Sequence, residues 1–121
     1  MSYWIAPSLA NKTNKSISVT NVIYYICNTY EVTYEEVKSK TRLSKVVRAR
    51  QMIAYVLHKI IGMTLSQIGE LLSRDHSTII YSWREVEKFL DFDIELREVL
   101  EDVINNNHIL ITNQKAKELC K

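Results

Sequence analysis

Glycine occurs only twice and proline once in 121 residues. Hairpin-built sheets need those residues at their turns, so the scarcity argues against an all-β domain and for helices with short connections. Nowhere do about 18 apolar residues run together, which leaves no candidate membrane-spanning helix. The start, Met1-Ser2-Tyr3-Trp4-Ile5-Ala6-Pro7, has no basic segment leading into a long apolar core, so it does not read as a signal peptide. Cys27 and Cys120 are far apart and form no C-x-x-C pair; they fit reduced thiols in a cytoplasm. His58, His76 and His108 show no H-x-x-x-H spacing, so neither a metal nor any other cofactor is expected. No G-x-x-x-x-G-K-[ST] is present to cradle a nucleotide phosphate.

What is present suits one globular domain. Hydrophobic residues make up 46% and charged residues 25%, and the length allows one ordinary core rather than two. The net charge of +2 says little about partners, but its distribution says more. Lys38, Lys40, Arg42, Lys45, Arg48, Arg50 and Lys59 share a stretch with no acid among them. Glu85, Glu87, Asp91, Asp93, Glu95, Glu98, Glu101 and Asp102 face only Lys88 and Arg97 in another. Such a molecule is expected to be an electrostatic dipole whose basic side attracts a polyanion.

Residues 1–17 are polar around Asn11 to Ser16 and read as a flexible arm. A first helix is expected from Ser18 or Thr20, with Val22, Ile26 and Tyr30 at helical spacing. Thr33 reads as the cap of a short helix to Val37, with Glu35 and Glu36 in its first turn. Lys38 to Ser44 reads as a basic loop. A long helix follows from Lys45 to Ile61 on the stripe Val46, Ile53, Leu57 and Ile60, and Gly62 stands where a left-handed residue ends a helix. Thr64 and Gln67 make a capping box for a short helix carrying Leu65, Ile68, Leu71 and Leu72. Asp75 caps a longer helix to Leu90 with the core stripe Ile79, Trp83, Val86 and Leu90, leaving Ser77, Thr78, Tyr81, Arg84 and Lys88 outside. Asp93 caps a last helix to Asn105, and residues 106–121 form a polar tail.

The fold class is therefore all-α, a compact helical bundle containing a helix-turn-helix. A short helix, a tight connection and a longer helix with a polar outer face make that motif. The first helix braces the second, whose N-terminal residues lie at base edges in the major groove. Asp75, His76, Ser77, Thr78 and Tyr81 hold that position. His76 can donate to or accept from a base, and the Thr78 methyl can meet a thymine methyl. The helix start offers amides to a phosphate.

Three stretches also resemble one family, in order and at nearly its spacing. Val46-Val47-Arg48-Ala49-Arg50-Gln51-Met52 is similar to the start of the long helix in the C-terminal DNA-binding domain (domain IV) of the bacterial replication initiator DnaA. Thr64-Leu65-Ser66-Gln67-Ile68-Gly69 resembles its first helix-turn-helix element, and Arg74-Asp75-His76-Ser77-Thr78-Ile79-Ile80-Tyr81 resembles its signature. The resemblance covers residues 18–105 and implies a Trp-repressor-like and DnaA-domain-IV-like fold that recognises a DnaA-box-like duplex. It implies Asp75, His76, Ser77, Thr78 and Tyr81 at the major groove and Arg42 in the minor groove. Lys45, Arg48, Arg50, Leu65, Ser66, Arg74 and Lys88 then become phosphate contacts. The turn before Arg74 is one residue shorter than in many members, Ser77 replaces a threonine, and Tyr81 stands where histidine is frequent. The family's ATP-binding domain has no counterpart, so a free-standing binder is expected, without nucleotide.

The expected function is sequence-specific duplex DNA binding in regulation or initiation of replication, by a monomer, in a bacterial cytoplasm, on the nucleoid or in a phage-infected cell. Rival readings are a transcription regulator using the same motif as a dimer, and a module that modulates a host replication protein through the acidic Glu85–Asp102 face. Catalysis is not expected: His76 adjoins Asp75, but no nucleophile accompanies them and neighbouring helical residues do not face each other. If about five phosphates are neutralised, the log–log salt slope should be about −4 to −5.

Overall fold

Every regular element among the described residues, 18–107 of the computed structural model, is a helix. The expected arm and most of the expected tail lie outside those residues. Helix α1 is Val19–Tyr30, α2 Tyr34–Lys38 and α3 Ser44–Tyr55, which continues as a π-helical segment Val56–Ile61. Then follow α4 Leu65–Leu72, α5 His76–Phe89 and α6 Ile94–Asn106.

The boundaries follow local chemistry. Ser18 caps α1, its side chain accepting from the Asn21 amide. Thr33 with Glu36, and Thr64 with Gln67, form full capping boxes for α2 and α4. Asp75 and Asp93 cap α5 and α6 by accepting from the amides of Thr78 and Leu96. Each such cap contributes about 1 kcal/mol by satisfying an amide that the helix cannot. Gly62 ends the α3 rod at φ 94°, in the left-handed region where only glycine is unstrained.

Helix α3 is the axle. Val46, Ala49, Met52, Ile53, Ala54, Tyr55, Val56, Leu57 and Ile60 are all buried, so the rod is covered on most of its circumference. Its most extensive packing is against α5, then α1. Ile68 and Leu72 from α4, Ile79 and Val86 from α5, and Leu100 and Val103 from α6 close the same core. Each fully buried aliphatic of this size is worth about 1.5–3 kcal/mol of transfer free energy. Tyr34 ties the short α2 to α4, its hydroxyl donating to the Leu71 carbonyl at 2.6 Å.

Two details depart from the periodicity. The end of α3 widens, with the amides of Gly62 and Met63 both donating to the Leu57 carbonyl. The buried stripe of α5 runs Ile79, Ser82, Val86, Leu90, with Ser82 4% exposed, and Trp83 is displaced to its rim. There the indole lies 5.2 Å from the His58 ring, with the Lys59 ammonium 4.6 Å and the Arg84 guanidinium 5.5 Å from its centre. Cations over an indole face are attracted by its quadrupole, which is why the ring stays at a charged edge.

Candidate nucleic-acid interface

The α4–turn–α5 unit is built on a close approach. Ser73 ends α4 at φ 56° and turns the chain, and the Arg74 amide donates back to the Gly69 carbonyl at 2.9 Å. A Cβ on Gly69 would lie 2.6 Å from the Arg74 carbonyl oxygen, so no larger residue fits without moving the turn. Asp75 comes next and accepts from the Thr78 amide at 2.9 Å and the Ser77 hydroxyl at 3.3 Å. Hydrogen bonding from Thr78 holds the Asp75 carboxyl below its ordinary range, with Ser77 and the nearby His76 adding to the effect. An ionised cap at this end also favours the helix dipole.

The outer face of the α5 N-terminus is open. His76 and Ser77 are exposed, Thr78 is half-buried, and Tyr81 is 61% exposed. His76 is held from the side: its Nε2 lies 3.1 Å from Ser66 Oγ in the first turn of α4. Leu65 and Ser66 stand in that first turn, where backbone amides have no partner within the helix. The Gln67 amide is spent on Thr64 at 3.1 Å.

Beside this face runs the loop between α2 and α3. An open cleft of about 650 Å³ separates the two, lined by Lys40, Thr41 and Arg42 of the loop, by Arg50 and Gln51 of α3, and by Asp75, Thr78 and Tyr81. The fold thus brings Arg42, 33 to 39 positions away in the chain, beside the major-groove candidates Asp75, Thr78 and Tyr81. Arg42 itself is exposed.

Arg50 and Arg74, both expected at phosphates, line the cleft, and their guanidinium groups donate to backbone carbonyls. Arg50 is only 7% exposed, and its Nε donates to the Val37 carbonyl at 2.9 Å. Its Nη2 donates to the carbonyls of Ser39 at 3.1 Å and Thr41 at 3.4 Å. Arg74 Nη1 donates to the carbonyls of Lys38, Leu72 and Ser73, and Nη2 donates to that of Ser39. Burial, then the positive charges of Arg74 and Arg42, lower the pKa of Arg50, a sign of how densely cation is packed here.

The expected charge separation is also only partly spatial. Lys59, of the basic stretch, pairs with Glu87, of the acidic one, at 3.7 Å. Lys88 pairs with Glu85 at 3.4 Å and lies 5.0 Å from the centre of the Phe89 ring. Arg48 lines a different groove, with Tyr30, Glu85 and Asp93. These cations stand among carboxylates and not at the cleft. Lys45 remains exposed in the first turn of α3. Lys40 and Gln51 also line the cleft; the sequence carries Lys40 only as one of the acid-free basic residues and Gln51 only as part of the family-like run, with no site role for either.

Among the described residues no cluster of His, Cys, Asp and Glu could hold a metal, and no helix is long and apolar enough to cross a membrane. Cys27 is buried and unpaired, its thiol pushed up to about 11 by burial and by Glu35 and Glu36.

An all-helical bundle that presents a helix-turn-helix with an arginine loop at its flank is a reading module of the helix-turn-helix class. Residues 19–86 match the family described as the bacterial dnaA protein helix-turn-helix, and the chain belongs to that family. It is similar to proteins named chromosomal replication initiator protein DnaA. Identity is 27% over 92 residues with that of Thermodesulfovibrio yellowstonii, covering 75% of this chain and 21% of that protein. It is 30% over 95 residues with that of Rickettsia akari, covering 78% and 20%. It is 33% over 88 residues with that of Geobacter metallireducens, covering 72% and 20%. The chain therefore spans about a fifth of the length of the curated relatives it matches.

Proposed function

We propose that the chain binds double-stranded DNA at DnaA-box-like sites and acts in the initiation of replication or its regulation. One observation carries the reading: the cleft that sets Arg42 of the loop against Asp75, Thr78 and Tyr81 of α5. A protein straddling a phosphate strand needs such a pair of probes, one per groove. His76, Ser77 and Thr78 read base edges in the major groove, with Tyr81 along it. Arg42 enters the minor groove, and Lys40, Lys45 and the amides of Leu65 and Ser66 hold phosphates. Membership in the dnaA helix-turn-helix family supports the duplex-binding reading. The site works as a binder without catalysis or cofactor, as a monomer, in the bacterial cytoplasm where duplex DNA lies.

Selection of bound sequences from a random duplex library tests this. An asymmetric DnaA-box-like site is the expected return. A palindrome with half-sites about one turn apart would indicate a dimeric regulator instead. No enrichment at all would overturn the proposal.

A further inference from the structure

Arg74 and Arg50 converge on one backbone atom. The Ser39 carbonyl oxygen accepts from Arg50 Nη2, on α3, and from Arg74 Nη2, on the turn before α5. On either side of it, Lys38 O accepts from Arg74 and Thr41 O from Arg50. The loop that carries Arg42 has no regular structure over residues 39–43. Its other bonds are local: at its start the Ser39 amide and hydroxyl donate to the Glu36 carbonyl at 3.1 and 2.6 Å, within it the Thr41 amide donates to Ser39 Oγ at 3.3 Å and the Leu43 amide to Thr41 Oγ1 at 3.4 Å, and at its end the Leu43 carbonyl accepts from the Val47 amide at 2.9 Å. The two guanidinium forks are the bonds that tie the loop to the middle of α3 and to the turn before α5.

The attachment through Arg74 reaches the reading helix directly. Arg74 precedes the cap Asp75, and its Nη1 also donates to Leu72 and Ser73 at the end of α4. One planar group therefore joins the loop, the end of α4 and the start of α5. A fork of fixed geometry can hold several carbonyls at once, whereas a lysine ammonium is a point charge on a flexible stem. The arrangement also concentrates three guanidinium groups: burial, then the charges of Arg74 and Arg42, lower the pKa of Arg50. That repulsion is tolerated because each buried group is satisfied by carbonyls.

From this we infer that Arg74, seconded by Arg50, is a positioning residue that sets the register of the minor-groove arm against the major-groove helix. Arg74 then determines base preference at the Arg42 end of the site without touching a base there. The inference rests on the two-groove reading proposed above.

The test separates the grooves chemically. A G·C pair places an amino group in the minor groove; an I·C pair lacks it but keeps the major-groove pattern of G·C. The ratio of affinities for I·C and G·C at each position of the selected site reports minor-groove reading alone. The intact chain should favour I·C about tenfold at the position Arg42 reads, the scale of one good base contact. Arg42→Ala should abolish that ratio. Arg74→Gln should bring it below about threefold while major-groove mismatches facing His76 and Thr78 keep most of their penalty. Arg42→Ala added to Arg74→Gln should then cost little more, because the arm has already lost its register.

Arg74→Lys keeps the charge and removes the fork, so it should behave like Arg74→Gln in the ratio while retaining more total affinity. It serves also if Arg74→Gln fails to fold, which thermal melting would reveal. A preserved I·C ratio in folded Arg74→Lys, or additive losses in the double variant, would overturn the inference and leave the two-groove reading standing. An intact chain that selects a site but shows no I·C preference at any position would overturn the Arg42 assignment and this inference together.

Discussion

The imidazole of His76 and the hydroxyl of Ser66 are 3.1 Å apart, linking the first turn of the reading helix to the first turn of the helix behind it. One ring nitrogen is thereby engaged and the ring oriented, so the other nitrogen is free for a base, and the hydroxyl, which can donate or accept, serves either tautomer. His76→Ala should cost about 1–3 kcal/mol on the selected site and little on random duplex. Ser66→Ala should cost less, about 0.5–1.5 kcal/mol, the usual net worth of one hydrogen bond. In a double-mutant cycle the Ser66 effect should vanish once His76 is gone. Equal losses from Ser66→Ala with and without His76 would show that the hydroxyl acts independently, on a phosphate for instance.

Gly69 predicts a stability effect with a functional echo. Alanine there meets the Arg74 carbonyl at 2.6 Å, backbone that cannot rotate away. Gly69→Ala should destabilise the chain by about 1–3 kcal/mol, as overpacking does, despite alanine's better helix propensity. Denaturant titration measures it. A stabilised variant would mean that the turn shifts without cost.

The Asp75 cap gives a pH dependence. Its folded pKa is lowered, chiefly through Thr78, so its contribution is full above the unfolded value of about 3.9 and disappears as pH falls through the lowered folded value. Asp75→Asn keeps a good capping oxygen but does not titrate. The stability difference between the intact chain and Asp75→Asn, followed from pH 7 to 3, should therefore shrink on the acid side. Two parallel curves would count against an ionised cap.

Salt dependence should be shallower than the chain's cation count suggests. Arg50 and Arg74 are spent on carbonyls, and Lys59 and Lys88 are paired with Glu87 and Glu85. The proposed site holds phosphates with Lys40, Arg42, Lys45 and helix amides, and three or four phosphates correspond to a log–log slope of about −3. A measured slope of about −5 or steeper would return Arg48 or Arg50 to the phosphate-contacting set.

Cys27 should resist alkylation. With its pKa raised to about 11 and its side chain buried, almost no reachable thiolate exists near pH 8. Peptide mapping after iodoacetamide should find Cys27 unmodified in the native chain and modified in denaturant. Rapid native labelling would indicate local opening of α1.

Much of the fold was legible because the rules that set it are local. Caps at Thr33, Thr64, Asp75 and Asp93 depend on residues three positions on, and the stop at Gly62 on its own left-handed backbone and a bond five positions back. The candidate reading face was legible for the same reason, since helix spacing alone separates Ile79 and Val86 from Ser77 and Tyr81. What sequence did not disclose was long-range. The bond from Arg74 to Ser39 crosses 35 positions, and that from Arg50 to Val37 crosses 13. A basic residue beside a basic loop reads as a phosphate ligand until the carbonyls around it are known. Trp83 illustrates the same limit: spacing places it in the core stripe, but it lies at the rim, beside His58 and Lys59 of the π-helical segment.

The Arg74 fork also bears on how such a reader could be re-engineered. Specificity swaps usually transplant exposed residues of the second helix onto another scaffold. Here the donor segment would arrive without the carbonyls of Lys38 and Ser39, and the recipient's own loop would be untethered. A working chimera would have to carry residues 37–43 and Arg50 along with 64–81, a discontinuous graft in which the loop and the helix change owner together.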